Sequence, residues 1–108
     1  MKKQTVDNQD VFLGYVALLI RHARSQGYQI TLGDGYRDPR AIFPYSSPNS
    51  YHAKRLAIDF NLFLDGKQLK KTEDFEFLGR FWKSLDPYCT WGGDFPSDGN
   101  HFSFLEGI

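Results

Sequence analysis

The sequence predicts one α+β domain over residues 1–108, an antiparallel sheet with helices on one face. Two segments have apolar residues at helical spacing, and other segments alternate between apolar and polar residues. A hairpin turn signal links two of the alternating segments, which favours antiparallel pairing over parallel crossovers. With 108 residues, 41% of them hydrophobic, the chain can bury a core without disulfides.

The two helices are predicted from their apolar stripes and their end signals. The first begins at Asp7 or Asn8, either of which can cap it, and stops at Gly27. The second covers residues 73–85 with Thr72 as its cap. Each stripe is expected to face the core. The stripes consist of Phe12, Tyr15, Val16, Leu19, Ile20 and Ala23 in the first helix, and Phe75, Leu78, Phe81, Trp82 and Leu85 in the second.

Strands are predicted at residues 28–32, 56–64, 67–70 and 101–104, and Asp65-Gly66 is a hairpin turn signal. The second of these strands alternates most clearly. One face is expected to enter the core and consists of Leu56, Ile58, Phe60, Leu62 and Leu64; the opposite face consists of Ala57, Asp59, Asn61 and Phe63. Residues 37–49 contain several prolines and serines, which predicts a long functional loop.

Charge and composition narrow the possible partners. Lys and Arg number 13 and Asp and Glu number 13, so a basic surface for nucleic acid is not expected. The apolar run at residues 11–20 is too short to cross a bilayer, which takes about 20 apolar residues. We identify no signal peptide and expect no membrane insertion. Cys89 is the only cysteine and has no partner motif, so we expect a small packed or surface residue.

Two histidines and an aspartate suggest a metal site. His52 ends the long loop, Asp59 lies within the clearest strand, and His101 begins the last strand. A carboxylate among Leu, Ile and Phe is costly to bury unless it is paired or binds a metal. Two imidazoles and a carboxylate suit catalytic zinc, which keeps a fourth position for water. The alternative is an ion pair of Asp59 with Arg55 or Arg37.

A catalytic zinc that activates water for hydrolysis also needs a base and a positive group for the substrate. Asp98, three residues before His101, is a candidate base, and Asp94 is a second one. Both also suit ordinary turns, in which Asp is common. Arg37 at the start of the long loop could stabilise an oxyanion or bind a substrate carboxylate, or it could simply anchor the loop.

Three motifs follow one another along the chain: residues 35–37 (GYR), residues 50–59 (SYHAKRLAID), and residues 91–94 (WGGD) followed by residues 98–102 (DGNHF). In this order they resemble the motifs of the VanY/VanX-like metallopeptidases, a family that includes D-Ala-D-Ala carboxypeptidases and L-alanyl-D-glutamate endolysins. The family's SxHxxGxAxD motif is similar to residues 50–59, SYHAKRLAID. Its WGGD element followed by (D/E)xxHF is similar to residues 91–94 and 98–102, and its GYR element to residues 35–37. Two positions depart from the pattern: Arg55 replaces the motif glycine, and Ser103 replaces an acidic residue that often follows HF.

The resemblance implies a hedgehog/DD-peptidase-like fold and a Zn²⁺ ion. It implies that the ion is held by His52, Asp59 and His101 and that Asp98 is the catalytic base. It further implies that Arg37 contacts substrate or the oxyanion and that Ser50 binds substrate. We place Asp94 of the WGGD element with them as a substrate contact.

The function that the resemblance implies is hydrolysis of an amide bond in the peptidoglycan stem peptide. We expect a monomeric phage or prophage endolysin that cuts an L-Ala-D-Glu bond. It would wait in the host cytoplasm and meet the cell wall after release. Two alternatives stay open: a D-Ala-D-Ala carboxypeptidase or dipeptidase, and an inactive zinc-containing binding domain. An incidental pair of histidines in a structural phage protein would predict no metal at all.

Overall fold

A computed structural model describes residues 3–33, 55–94 and 98–105. It contains two α-helices, five strands and two short 3₁₀ turns within those ranges. The elements are α1 (Lys3–Ser25), β1 (Gln29–Leu32), β2 (Ala57–Leu64), β3 (Lys67–Leu69), a 3₁₀ turn (Thr72–Phe75), α2 (Glu76–Leu85), β4 (Cys89–Trp91), a second 3₁₀ turn (Gly92–Asp94) and β5 (His101–Phe104). The predicted loop at residues 37–49 lies outside the described residues.

The five strands form one antiparallel sheet in the order β1-β2-β5-β4, with β3 also paired to β2. The predicted α+β class with an antiparallel sheet is therefore confirmed. The β2–β3 hairpin turns at Asp65 and Gly66, whose φ angles are 51° and 79°. Positive φ at both central residues is typical of a type I′ turn, whose twist matches that of the flanking strands.

The hydrophobic core lies between one face of the sheet and the two helices. Trp82 of α2 is fully buried, and its ring packs edge-on against Phe12 of α1 at 5.9 Å and Phe102 of β5 at 6.0 Å. The Trp82 indole Nε1 donates a hydrogen bond to the Ser103 carbonyl at 3.0 Å, so the buried polar atom is satisfied. Phe60 and Leu62 of β2 are buried in the same core, as their alternation predicts.

Cys89 at the start of β4 belongs to this core. Its thiol is buried, and burial together with the nearby Asp86 carboxylate raises its pKa to about 12. A thiol with that pKa is protonated at neutral pH, whereas the thiolate is the reactive form. Of the two positions expected for this cysteine, core or surface, the structure shows the core position.

Several predicted boundaries are wrong. The first helix begins at Lys3 and not at Asp7 or Asn8, because the residues before them contain no proline or glycine to stop it. Thr72 is not the cap of α2. The Asp74 carboxylate accepts a hydrogen bond from the Lys71 backbone N–H at 3.1 Å, which starts a 3₁₀ turn before the α-helix.

Two further differences concern the strands. Leu64 is 36% exposed instead of buried, because it directly precedes the hairpin turn, where the strand pair ends. Strand β4 is absent from the prediction, since its three residues run directly into the turn at Gly92. None of the helices in the described ranges has the length and apolar character needed to cross a membrane.

Candidate metal centre

Asp59 and His101 meet on the sheet face opposite the helices. They are paired residues in the register of β2 and β5, with Ile58 opposite Phe102 as the next pair. Since side chains alternate along a strand, the burial of Phe60 and Phe102 in the core turns Asp59 and His101 to the other face. The sheet therefore brings together two predicted ligands that lie 42 residues apart in the chain.

The two side chains are close and largely buried. His101 Nδ1 lies 3.0 Å from Asp59 Oδ1, and the side chains are 7% and 18% exposed. The other ring nitrogen of His101, Nε2, is buried as well. The His101 imidazole is thus one partner of the Asp59 carboxylate. A buried carboxylate with a cationic or hydrogen-bonding neighbour has the partner that burial requires.

This geometry fits a zinc site. Ligand atoms at about 2.0–2.1 Å from a tetrahedral zinc are about 3.3 Å from each other. The observed distance of 3.0 Å between His101 Nδ1 and Asp59 Oδ1 is close to this separation of two ligand atoms. The same distance is that of a direct hydrogen bond between the two side chains. Within the described ranges, no group of three His, Cys, Asp or Glu residues is arranged to hold a metal.

The remaining predicted site residues fall into two groups. His52, Arg37 and Ser50 lie outside the described residues, so their predicted roles stay predictions. Asp94 lies at the surface, where both carboxylate oxygens contact Lys83 Nζ, at 2.8 and 3.1 Å. A surface ion pair of this kind contributes about 0–1 kcal/mol to stability. The predicted substrate contact of Asp94 is not tested by this arrangement.

Asp98 lies in the turn that leads into β5, and its side chain is exposed. Backbone hydrogen bonds hold this turn on both sides. The His101 N–H donates to the Asp98 carbonyl at 3.2 Å, and the Phe60 N–H donates to the Asn100 carbonyl at 3.0 Å. The Trp91 indole Nε1 donates to the Gly99 carbonyl at 2.6 Å. The candidate base is thus joined through its backbone to the strands that provide Asp59 and His101.

Glycines make this close packing possible, although no individual role was predicted for them. A Cβ on Gly92 would lie 2.2 Å from the Asp98 carbonyl oxygen and 2.9 Å from the His101 Cβ. A Cβ on Gly93 would lie 2.2 Å from the Trp91 ring. Contacts below 3.0 Å essentially do not occur for real Cβ atoms. The two adjacent glycines after Trp91 were the available signal, because consecutive glycines often mark a close backbone approach.

Arg55, which replaces the motif glycine, adopts a left-handed backbone with φ of 59°. This conformation is favourable for glycine and costs a residue with a side chain roughly 1–2 kcal/mol. This backbone conformation explains why the resembled motif has a glycine at this position. Ser103, the second departure, is fully buried, and its Oγ lies 3.5 Å from the Thr90 carbonyl.

Comparison with known proteins agrees with the motifs. The model of the family described as D-alanyl-D-alanine carboxypeptidase, of the M15 peptidases, matches residues 45–104. The matched segment is more than half of the 108 residues, and it includes β2, β5 and the turn at Asp98. No curated protein sequence matches the chain. From the matched segment and the motifs within it, the chain belongs to the D-alanyl-D-alanine carboxypeptidase family of M15 peptidases and is a peptidase of the kind that acts on peptidoglycan.

Proposed function

We propose that this domain is a zinc-dependent peptidase that hydrolyses an amide bond of the peptidoglycan stem peptide. The observation that supports the proposal most is the buried contact of Asp59 Oδ1 with His101 Nδ1 at 3.0 Å. Burial of either side chain costs free energy unless it has a partner, and both Asp59 and His101 occupy ligand positions of the resembled motifs. The family membership supports peptide hydrolysis, and the donor types support zinc.

His52, Asp59 and His101 would hold the ion. Zinc bound by three protein ligands supplies an acidified water and polarises the carbonyl of the scissile amide. The pairing of Asp59 and His101 in adjacent strands keeps the two donor atoms close before any ion arrives. Because the strands already hold these metal-binding atoms in place, less conformational entropy is lost when the ion binds.

Asp98 would act as the general base. Its carboxylate would take a proton from the attacking water and pass it to the nitrogen of the leaving amine. The hydrogen bonds at the Asp98 and Asn100 carbonyls fix the turn in position, and Asp98 lies exposed at the surface. Arg37 and Ser50 are proposed to bind the substrate, with Arg37 facing negative charge on the peptide or the developing oxyanion.

The endolysin type is the form of this activity that we propose, with an L-Ala-D-Glu bond as the target. The protein would be a monomer that is held in the host cytoplasm and acts on the wall after release. The description of the matched family favours a second candidate, a D-Ala-D-Ala carboxypeptidase. A zinc-containing binding domain without activity is the third.

The test is loss of turbidity of bacterial wall preparations, with Asp98→Ala as the diagnostic variant. Wild type should clear the walls, while Asp98→Ala should lose activity by at least about 100-fold and keep its zinc. Asp7→Ala, at an exposed position on α1, is the matched control and should behave as wild type. Zinc content with no clearing of any wall type and no release of peptide fragments or D-alanine would support the binding domain instead.

Mass spectrometry of the released fragments identifies the bond. A new N-terminal D-glutamate supports the endolysin type. Release of free D-alanine supports the carboxypeptidase. Clearing that is unchanged by Asp98→Ala contradicts the assigned base even if the walls are cut.

A further inference from the structure

A small polar cavity lies at the edge of β2, next to the candidate metal centre. Its volume is about 160 Å³. It occupies the gap between the last β2 residue paired to β5, Asp59, and the first paired to β3, Leu62. The residues that line it are Asn61, Gln68, Lys70 and Asn100, with Phe60, Leu69 and Phe75.

The lining of this cavity is suited to an anion. Three carboxamides provide N–H donors, Lys70 provides a positive charge, and no acidic residue is among the lining residues. Among the described residues, no side-chain hydrogen bond engages the Asn61 or Asn100 amide or the Lys70 ammonium. Within that part of the chain, no other side chain competes with a ligand for these donors.

The cavity lies close to the two predicted ligands Asp59 and His101. Asn61 follows Asp59 by two residues on the same face of β2, a distance of about 7 Å along the strand. Asn100 directly precedes His101, and its carbonyl is fixed by the Phe60 N–H at 3.0 Å. One to two residues of an extended peptide span about 3.5–7 Å. A group on the residue that flanks the scissile bond can therefore enter the cavity.

We infer that this cavity, the Lys70 subsite, binds a carboxylate on the substrate residue adjacent to the cleaved amide. The inference rests on the proposed function for the identity of the peptide. A D-glutamate joined through its γ-carbonyl has a free α-carboxylate next to the scissile nitrogen, whereas its amidated form has a neutral carboxamide there. The subsite would distinguish these two peptides by charge, with Lys70 as the charged contact and Asn61 and Asn100 as hydrogen-bond donors.

The test compares two synthetic peptides, L-Ala-γ-D-Glu-L-Lys and the same peptide with the α-carboxylate amidated. Wild type should have about tenfold higher kcat/KM on the carboxylate peptide. Lys70→Ala should remove most of that preference, mainly by raising KM for the carboxylate peptide. Lys67→Ala is the matched control, because Lys67 is exposed at the start of β3, three residues before Lys70, and does not line the cavity.

A binding measurement separates this inference from the proposed hydrolysis. In an NMR titration of the Asp98→Ala variant, the carboxylate peptide should shift the side-chain amide signals of Asn61 and Asn100 more than the amidated one. If wild type cuts neither peptide but the carboxylate-dependent shifts appear, the hydrolase proposal fails and the subsite stands. Equal shifts with both peptides, or an unchanged preference in Lys70→Ala, overturn the subsite.

Discussion

Gly92→Ala is the smallest substitution that should disturb the candidate metal centre. The added methyl group would begin 2.2 Å from the Asp98 carbonyl oxygen and 2.9 Å from the His101 Cβ. Since real Cβ contacts are at least 3.0 Å, the turn must move away from Gly92. The same carbonyl accepts the His101 N–H, so the displacement reaches the strand that provides a predicted ligand.

The added methyl group would clash with a backbone atom, which can move away less easily than the end of a side chain. The substitution should therefore lower the free energy of unfolding. Overpacking of this kind costs about 1–3 kcal/mol. With a urea m-value of about 1–3 kcal/mol/M, the unfolding midpoint should fall by roughly 1 M. Displacing a group that supports a metal ligand typically lowers metal affinity by about 10–100-fold. Urea unfolding followed by Trp fluorescence and a zinc competition titration measure the two effects.

Gly14→Ala is the matched control for this prediction. Gly14 lies within α1, and a Cβ there would meet nothing within 4 Å. The same methyl group should therefore stabilise the protein by about 0.5–1 kcal/mol through helix propensity. If Gly92→Ala is as stable as wild type and binds zinc equally well, the packing account of the Trp91-Gly92-Gly93 segment is wrong.

Three further predictions concern the surroundings of the site. Arg55→Gly should be tolerated, whereas Arg55→Val should be less stable by at least about 1 kcal/mol, since a β-branched residue is disfavoured at φ of 59°; equal stability of the two variants would contradict this. Cys89 should resist alkylation at pH 8 until the protein unfolds, and rapid alkylation of the folded protein would refute its burial. The free energy of unfolding should fall as pH rises from about 9 towards 12, because the thiol of the unfolded chain loses its proton at a lower pH than the buried thiol. Asp94→Ala should change the free energy of unfolding by less than about 1 kcal/mol and activity far less than Asp98→Ala, since Lys83 engages the Asp94 carboxylate; an equal loss of activity would support the predicted substrate contact.

The apolar patterns allowed much of the fold to be predicted. The stripe of α1 is buried at Phe12, Val16 and Leu19, and the alternation of β2 turns Phe60 and Leu62 into the core, because periodicity follows directly from helix and strand geometry. The helix ends were less predictable. Asp7 has the right chemistry for a cap, but nothing in the preceding residues prevents the helix from starting earlier.

The site was predictable only in part from individual residues. Asp59 and His101 are suggested by their positions on two alternating segments, but their direct pairing depends on a register that the sequence does not state. The contributions of Gly92 and Arg55 depend on backbone approach and on φ, which composition and periodicity do not report. The resemblance to the family motifs indicated which residues form the site. The structure explains why glycine is needed at position 92 and favoured at position 55.

Zinc affinity of the purified wild type, beside Asp59→Asn, His101→Gln and Asp98→Ala, tests the central claim most directly. Elemental analysis and a competition titration should give about one zinc per chain in wild type and in Asp98→Ala. Asp59→Asn and His101→Gln should each bind far more weakly, since each loses one of three proposed ligands. Equal zinc content in all four proteins, or none in any, would contradict a metal held between the imidazole of His101 and the carboxylate of Asp59.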